Sequence, residues 1–364
     1  MAMRENRSRL PRRKTRAVMK GNVRVGGGAD ISVQSMLKIP TKNVEECIRQ
    51  IEELADFGCD IIRIAVQKEA DAKAAGEIAN AAEMPVVADI HLRAKLAMAA
   101  LEAGVDAIRV NPGNIRKERD LEDITACAKN YGAAIRIGVN SGSVRRRGKS
   151  PAASADRERP IPELLVELLT EHVRLFEKHG FENLVLSAKC SDPVETIHVY
   201  RKIADTFDYP LHVGVTAAGP PPEGIIRNCL GIGTLLAEGI GDTIRVSLTG
   251  PSSEEVMAGR EILRSLGLGG GGVVVIACPT CGRTSADIRP ITILLRDAVR
   301  KIDKCLVVGV MGCEVNGPGE AVECDVALVI GAGKGILYVG GEKRETGIAP
   351  KDFLNVLLEE IEKV

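Results

Sequence analysis

Aromatic side chains are scarce in this chain of 364 residues: four tyrosines, five phenylalanines and no tryptophan make up 2% of it. Proteins that hold single-stranded nucleic acid stack its bases on aromatic rings, so a surface of that kind is excluded. Basic and acidic residues number 49 each, which leaves no net charge to attract a polyanion. We therefore expect no nucleic-acid partner.

Long apolar runs are also missing. No stretch approaches the roughly 18 consecutive apolar residues that a membrane span needs. Residues 1–16 hold seven basic residues and one acidic residue, and Lys20-Gly21 interrupts the short apolar run that follows, so no secretion signal develops. We expect a solvated basic arm, no membrane partner and a cytoplasmic location.

Cysteine is more frequent than such a chain needs for packing, with ten residues. Without a secretion signal these thiols are expected to stay reduced. Clustered cysteines in a reducing compartment more often bind metal or carry out redox chemistry than form disulfides.

An aliphatic, strand-like run followed by an amphipathic, helix-like stretch recurs eight times between residues 31 and 248. This alternation is typical of a parallel sheet with crossover helices. Eight units favour a closed (β/α)8 TIM barrel over an open doubly wound sheet, and no G-x-G-x-x-G follows the first strand. The predicted strands are Ile31–Met36, Ile61–Val66, Val86–Ile90, Ala107–Val110, Ala134–Val139, Leu184–Ser187, Leu211–Val215 and Thr243–Leu248.

The chain is expected to have three parts. Residues 18–25 predict a hairpin that turns at Gly21-Asn22 and covers the N-terminal mouth of the barrel. The glycine-rich run 267–272 is too flexible to belong to a helix or strand, so we place a domain boundary there. The predicted parts are a basic arm and hairpin (1–30), the barrel (31–266) and a small α+β domain (267–364). In the last part, strands are predicted near 273–276, 306–310, 326–330 and 336–339, and helices near 291–304 and 350–363.

Four predicted barrel strands carry an arginine between aliphatic residues: Arg63, Arg109, Arg136 and Arg245. Because side chains alternate along a strand, the arginines point into the barrel if their neighbours face the helices. Buried charge needs internal carboxylates or an anionic ligand. An ion-pair network with Asp60, Asp89 and Asp106 is one interpretation. With Lys189 on a fifth strand we favour an anion site, and phosphate suits guanidinium donors best.

A cysteine cluster follows the barrel. Cys278 and Cys281 form a C-x-x-C motif after an aliphatic run, and Cys313 lies further along in a glycine-rich segment that contains Glu320. Structural zinc would need a fourth ligand such as Cys305 or Cys324. A catalytic iron–sulfur cluster needs three thiolates and one replaceable ligand, a position that the oxygen of Glu320 would suit.

Several motifs, in order along the chain, resemble 4-hydroxy-3-methylbut-2-enyl diphosphate synthase in its bacterial two-domain form. They are V-Q-S-M at 33–36, A-D-I-H at 88–91, R-V-N-P-G-N at 109–114, R-I-G-V-N-S-G-S at 136–143, C-P-T-C-G-R at 278–283 and M-G-C-E-V-N-G-P-G-E-A at 311–321. The similarity runs from about Val25 to the C-terminus.

This resemblance implies a two-electron reductive ring opening of 2-C-methyl-D-erythritol 2,4-cyclodiphosphate in the non-mevalonate isoprenoid pathway. It implies a 4Fe-4S cluster on Cys278, Cys281, Cys313 and Glu320, with Glu320 as the catalytic ligand that yields to the substrate. It also implies reduced flavodoxin or ferredoxin as electron donor, and a homodimer in which one subunit's cluster domain closes on its partner's barrel. The implied substrate-binding residues are Arg63, Asp89, Arg109, Arg136, Asn140, Lys189 and Ser247.

The chain departs from the family pattern at Ala217, where the family usually has glutamate. Alanine cannot donate a proton, so this position bears on turnover more than on identity. Glu314, beside a cluster cysteine, is also unusual, and its charge is expected to make the cluster harder to reduce.

Two other interpretations stay open from the residues alone. A phosphosugar aldolase would use Lys189 as a Schiff-base lysine and the cysteines for structural zinc. A non-enzymatic iron–sulfur carrier would leave the convergent arginines unexplained.

Overall fold

The computed structural model describes residues 11–90, 93–111, 117–142, 144, 159–268 and 272–364. The described residues form two compact units, with the division after Leu268. Most of the predicted basic arm and the central glycines of the predicted linker, 269–271, lie outside the described residues. The predicted (β/α)8 barrel and the C-terminal α+β domain are both confirmed.

The first unit opens with an antiparallel hairpin of strands β1 (Ala17–Lys20) and β2 (Val23–Gly26). Val18 and Val25 pack against inward-facing residues near the start of the barrel strands, among them Ile61, Ala107 and Ala134. Because the first residues of parallel strands lie at the same end of a barrel, the hairpin closes its N-terminal mouth, as predicted.

Eight parallel strands follow, in the order β8-β7-β6-β5-β4-β3-β10-β9. The pairing of Leu186 with Leu211 brings the two ends of this sheet together. The strands are β3 (Ser32–Met36), β4 (Ile61–Val66), β5 (Val86–Ile90), β6 (Ala107–Val110), β7 (Ala134–Asn140), β8 (Leu184–Lys189), β9 (His212–Val213) and β10 (Thr243–Ile244).

Helices cover the outside of the barrel and bury their apolar faces against the outward-facing strand residues, such as Ile62, Ile108 and Ile135. They are α1 (Val44–Asp56), α2 (Glu69–Ala81), α3 (Ala94–Glu102), α4 (Glu118–Asn130), α5 (Ile161–Lys178), α6 (Pro193–Thr206), α7 (Glu223–Asn228), α8 (Thr234–Ala237) and α9 (Ser252–Ser265). A π-helical turn, Cys229–Gly233, joins α7 to α8. Among the helices that the structure describes, none has the length and apolar character needed to cross a membrane.

Strands β9 and β10 are both shorter than the sequence predicts, and the residues that follow β10 take side-chain partners instead of pairing with a strand. The Ser247 amide donates to Asn228 Oδ1, and the Leu248 amide donates to Glu255 Oε1. These backbone groups are therefore satisfied without a neighbouring strand.

The second unit is a five-stranded sheet in chain order: β11 (Val273–Ala277), β12 (Leu306–Met311), β13 (Val326–Gly331), β14 (Lys334–Val339) and β15 (Glu342–Ile348). The first three strands are parallel and the last two antiparallel. Helices α10 (Arg289–Ala298) and α12 (Phe353–Lys363) pack on one face, while α11 (Gly317–Ala321) packs on the other. Strand β15 was not predicted, since as an exposed, charged edge strand it lacks an apolar pattern.

The hairpin turn offers a test of the closed barrel mouth. Gly21 has φ +52°, and a Cβ there would overlap the Asp106 carboxylate, which accepts a hydrogen bond from the Val86 amide. We expect Gly21→Ala to lower the free energy of unfolding by about 1 kcal/mol through left-handed strain, and by about 2 kcal/mol more through overpacking. Urea denaturation measures the total loss in free energy of unfolding.

Gly28→Ala is the matched control, since Gly28 has φ +81° with no atom within 4 Å of its Cβ position. Its free energy of unfolding is expected to fall by the contribution of left-handed strain alone, about 1 kcal/mol. Equal losses in the two variants would contradict the packing of the turn against Asp106.

Candidate functional site

A cavity of about 160 Å³ opens within the barrel and has room for about five water molecules. It is lined by the ends of the barrel strands and the residues that follow them. All seven substrate-binding residues that the family resemblance implies lie on its wall: Arg63, Asp89, Arg109, Arg136, Asn140, Lys189 and Ser247. Arg245, Ser187 and Thr216 join them there.

Strand alternation brings the arginines together, as the sequence predicts. Ile62 and Ile64 belong to the core between strands and helices, and Arg63 between them lines the cavity. The same alternation applies to Arg109, Arg136 and Arg245. The wall therefore carries five cationic side chains and one carboxylate within the described residues.

Of the three aspartates considered as arginine partners, one faces the cavity. Asp89 lies 3.1 Å from Arg109 Nη1 and 3.6 Å from Arg63 Nε. Asp60 instead bonds Arg260 and the Val33 amide. Asp106 bonds the Val86 amide at the other end of the barrel. An internal ion pair therefore exists, but it neutralises only part of the charge on the wall.

Arg245 pairs with another carboxylate, Glu255, which the sequence did not reveal. Glu255 on α9 is 1% exposed and lies 3.2 Å from Arg245 Nη2. It also accepts hydrogen bonds from the Leu248 amide and the Ser35 hydroxyl. Glu255 therefore fixes Arg245 and the end of β10, leaving Arg136 and Lys189 as the cations least compensated by carboxylates.

Arg136 is 2% exposed, and its Nη1 donates to Gln34 Oε1 at 3.1 Å, a neutral acceptor. Burial lowers the pKa of Arg136, and the nearby Arg63 and Arg109 lower it further. Since a guanidinium does not lose its proton in a protein, the shift means that its charge is held at a cost. An anion in the cavity would offset that cost.

Lys189 is held beside a histidine. Its Nζ lies 3.3 Å from His212 Nε2. Burial lowers the pKa of Lys189, and Arg136 and Arg245 lower it further. Burial and Arg136 also lower the pKa of His212, so the ring is uncharged near neutral pH. His212 was not among the predicted site residues, because a single histidine in a strand gives no pattern.

Two glycines make room for these cations. A Cβ at Gly138 would lie 2.6 Å from Arg109 Nε, and one at Gly214 would lie 2.5 Å from Lys189 Nζ. Arg109 crosses β7 at this point, donating from Nη2 to the Gly138 carbonyl at 2.9 Å. Any larger residue would displace a cation from the cavity wall.

Asn228 positions Ser247 and was also missed. The fully buried amide of Asn228 donates to the Ser247 carbonyl at 3.2 Å and accepts from the Ser247 amide at 3.4 Å. Its Nδ2 also donates to the Gly224 carbonyl at 2.8 Å. One side chain thus replaces a neighbouring strand where β10 has ended. No sequence pattern predicts this contact, because Asn228 and Ser247 are 19 residues apart in the chain.

The second unit carries the cysteines at one edge of its sheet. Cys278 directly follows β11, and Cys313 lies two residues after β12. Because β11 and β12 are parallel neighbours, paired from Val273 with Leu306 to Ala277 with Val310, both strands end at the same edge. Cys281 and Glu320 are exposed, the latter on α11.

Backbone amides donate hydrogen bonds to two of the three sulfurs, those of Cys278 and Cys313. The Gly312 amide donates to Cys278 Sγ at 3.2 Å, which ties the loop after β12 to the loop after β11. Hydrogen bonds from the amides of Asn316 and Val315 lower the pKa of Cys313. Amide donors of this kind stabilise thiolates and are typical of iron–sulfur sites.

The predicted ligands are three thiols and one carboxylate. These groups have the chemistry that an iron–sulfur cluster requires. Among the described residues, no three histidine, cysteine or acidic side chains converge as ligands of a single metal ion do. A cluster does not demand that convergence, since each thiolate binds a different iron. Cys324 differs from the three, because it is buried in the sheet's core and burial raises its pKa to about 11.

Comparison with protein families decides the assignment. Residues 15–260 match the GcpE TIM-barrel domain, and residues 274–363 match the GcpE protein C-terminal domain. The chain belongs to the GcpE family. Its two matched segments correspond to the barrel and to the five-stranded domain described above, and GcpE proteins are iron–sulfur proteins.

Curated GcpE relatives match almost the whole chain. The relative from Symbiobacterium thermophilum is 45% identical over 97% of this chain and 94% of its own length. Those from Thermodesulfovibrio yellowstonii and Salinispora tropica are 42% and 44% identical, over 97% and 96% of this chain and 100% and 88% of their own lengths. All three are named 4-hydroxy-3-methylbut-2-en-1-yl diphosphate synthase (flavodoxin).

The role of Asn228 is testable by substitution. We expect Asn228→Ala to lower the free energy of unfolding by about 2 kcal/mol, because it leaves buried backbone groups of Ser247 without partners. Hydrogen–deuterium exchange of the peptide that contains Ser247 should accelerate. Asn130→Ala, at the exposed end of α4, is the control and should change neither quantity. Unchanged exchange at Ser247 in Asn228→Ala would refute the positioning role.

Proposed function

We propose that this protein reduces 2-C-methyl-D-erythritol 2,4-cyclodiphosphate to 4-hydroxy-3-methylbut-2-enyl diphosphate, with the diphosphate bound in the barrel cavity. Membership of the GcpE family supports the reaction. The observation that carries the proposal to particular residues is the cavity itself, where five cationic side chains meet one carboxylate.

A cyclic diphosphate suits this wall physically. Its anionic oxygens supply the negative charge that Arg136 and Lys189 lack within the barrel. Arginine presents N–H groups in a plane, so two guanidinium groups can hold one phosphate by paired hydrogen bonds. Ser247 and Asn140 add neutral polar groups at the cavity wall. Asp89, engaged with Arg63 and Arg109, keeps these two cations oriented.

Within the second unit, Cys278, Cys281, Cys313 and Glu320 would hold a 4Fe-4S cluster. When bound, the cluster would pass the two electrons that the ring opening consumes, one at a time, from the reduced donor to the substrate. Cysteine ligands bind iron permanently, whereas a carboxylate is exchanged more readily, which is why we assign Glu320 the replaceable position. The amide N–H of Gly312 donates a hydrogen bond to Cys278 Sγ, which would raise the reduction potential of a cluster bound there.

The proposed partners follow from the same family. The relatives' names specify flavodoxin, and we propose flavodoxin or ferredoxin as the electron donor of this chain. We also propose a homodimer and a cytoplasmic location, on the resemblance described above.

The aldolase alternative draws on one observation, the lowered pKa of Lys189, since a neutral amine is needed for a Schiff base. Burial among arginines produces that shift without any requirement for catalysis. The two readings differ in a simple experiment, because borohydride traps an imine on Lys189 only in an aldolase.

Anaerobic purification tests the proposed cluster. We expect a brown protein with about four irons per chain, whose spectrum changes on titration with the cyclodiphosphate under reducing conditions. Cys278→Ser, Cys281→Ser and Cys313→Ser should each lose most of the iron and the visible absorbance. Iron and sulfide analysis measures the loss.

Cys305→Ser is the matched control, since Cys305 is exposed and outside the proposed ligand set. Its iron content should equal that of the unaltered protein. A colourless protein that binds one zinc and accepts no reconstituted cluster would defeat the proposal.

The rate of turnover is expected to depend on which side chain stands at position 217, where this chain has Ala217. This residue is exposed, has φ +52° and follows Thr216 on the cavity wall. Because the family usually has glutamate here, we expect Ala217→Glu to raise kcat about 100-fold by supplying a proton donor. Ala217→Gln matches the size without the acid, and Ala217→Gly relieves the left-handed strain alone. A rise with glutamine or glycine equal to that with glutamate would rule out the acid.

A further inference from the structure

Lys20 is a buried lysine that the site described above does not use. It ends β1 of the hairpin, and alternation places its side chain on the same inward face as Val18. Val18 packs against the apolar floor of the barrel, and Lys20 is 0% exposed. Its Nζ is buried without a hydrogen-bond partner in the part of the chain that the structure describes.

The charged groups that act on Lys20 are themselves basic. Arg136 on β7 and Arg63 on β4 are its cationic neighbours, and His212 on β9 lies within range of its field. Burial is the larger influence and lowers the pKa of Lys20, and the two arginines lower it further. An ammonium in this position would be both desolvated and repelled, so the empty barrel favours the neutral amine.

Several polar groups of the barrel strands are buried without hydrogen-bond partners among the described residues. The Oε1 atom of Gln34 already accepts from Arg136, and Gln34 Nε2 is a buried donor that has no partner among the described residues. The same holds for Arg136 Nε and Nη2. The hydroxyl groups of Ser32 and Thr243 are also buried without partners, but they are neutral and offset no positive charge. Among the described residues, the unpartnered donors of Gln34 and Arg136 would therefore be stabilised by an anionic ligand.

His212 and Arg136 connect Lys20 with the cavity. His212 contacts Lys189 on the cavity wall, and Arg136 is itself part of that wall. A change of charge in the cavity therefore acts on Lys20 across buried groups, where electrostatic interactions are weakly screened.

We propose that Lys20 is a positioning residue of the anion site, uncharged in the empty barrel and protonated when a diphosphate group occupies the cavity above it. The inference rests on the proposed function of that cavity. The negative charge of the ligand favours the ammonium form, and the ammonium in turn offsets the ligand's charge from beneath. The proton comes from solvent as the ligand binds. A lysine suits this role because, unlike arginine, it can lose its proton on burial.

Proton uptake on binding is the quantity that distinguishes this role from a structural one. Inorganic pyrophosphate is titrated into the anaerobically prepared full-length protein by calorimetry, in two buffers of different ionisation enthalpy. We expect the unaltered protein to take up about one proton more per bound pyrophosphate than Lys20→Met. Protons that belong to pyrophosphate itself are the same in both proteins and cancel in the difference.

The pH dependence of affinity follows by linkage. Because binding takes up a proton, the affinity of the unaltered protein falls as pH rises. Lys20 has one pKa in the empty barrel and a higher one in the occupied barrel. At pH values between the two, the affinity of the unaltered protein for pyrophosphate should fall about ten-fold more per pH unit than the affinity of Lys20→Met. The slope contributed by Lys189 and His212 is common to both proteins.

Thermal stability gives a second readout, because a positioning lysine and a structural lysine predict opposite changes of melting temperature when Lys20 is replaced. Methionine fills the volume of lysine without a buried polar group, so the empty Lys20→Met protein should melt at the same temperature or higher. A purely structural lysine would melt lower when replaced. Arg24→Met, on the outward face of the same hairpin, is the control and should keep the proton uptake of the unaltered protein.

Two negative results have different meanings. Equal proton uptake by the unaltered protein and Lys20→Met, with pyrophosphate bound by both, overturns the role of Lys20 alone. Failure of the unaltered protein to bind pyrophosphate overturns both this role and the diphosphate site. Should Lys20→Met fold poorly, Lys20→Leu repeats the measurement.

Discussion

The mutual repulsion of cations inside the barrel is the constraint on which the rest of the site depends. Arg63, Arg109, Arg136, Arg245 and Lys189 line one cavity whose volume is about that of five water molecules. Burying unpaired charge costs several kcal/mol for each group. Such a barrel folds only because its outer core is extensive and because carboxylates offset part of the charge.

The two carboxylates divide this task unevenly. Asp89 lies between Arg63 and Arg109, and Glu255 holds Arg245 from the helix behind it. Within the described residues, Arg136 has the amide oxygen of Gln34 as its hydrogen-bond partner, and Lys189 has an imidazole nitrogen of His212. The uncompensated charge is thus concentrated on the side of the cavity formed by β7 and β8. An anionic ligand interacts favourably with this charge. The unpaired positive charge that lowers the stability of the empty protein therefore raises its affinity for an anion.

The sequence predicted the features that repeat. Eight aliphatic runs indicated the barrel, and the arginine between aliphatic neighbours indicated which way it faces, because both follow from the two-residue period of a strand. Features that depend on a single pair of distant residues left no pattern. Asn228 with Ser247 and Lys20 with Arg136 are of this kind, and so was the charged edge strand β15, which has no buried face to impose alternation.

Binding and turnover are separable in this architecture. The cations that would hold a diphosphate are fixed by strands, by Glu255 and by glycines at positions 138 and 214, none of which involves Ala217. Ala217 lies in the loop after β9 in a left-handed conformation that a larger side chain adopts at the same backbone cost. A substitution there changes the residue next to Thr216 on the cavity wall and leaves the cations of the wall unchanged. Loss of an acid at this position would therefore reduce the rate of ring opening while the anion site stays complete.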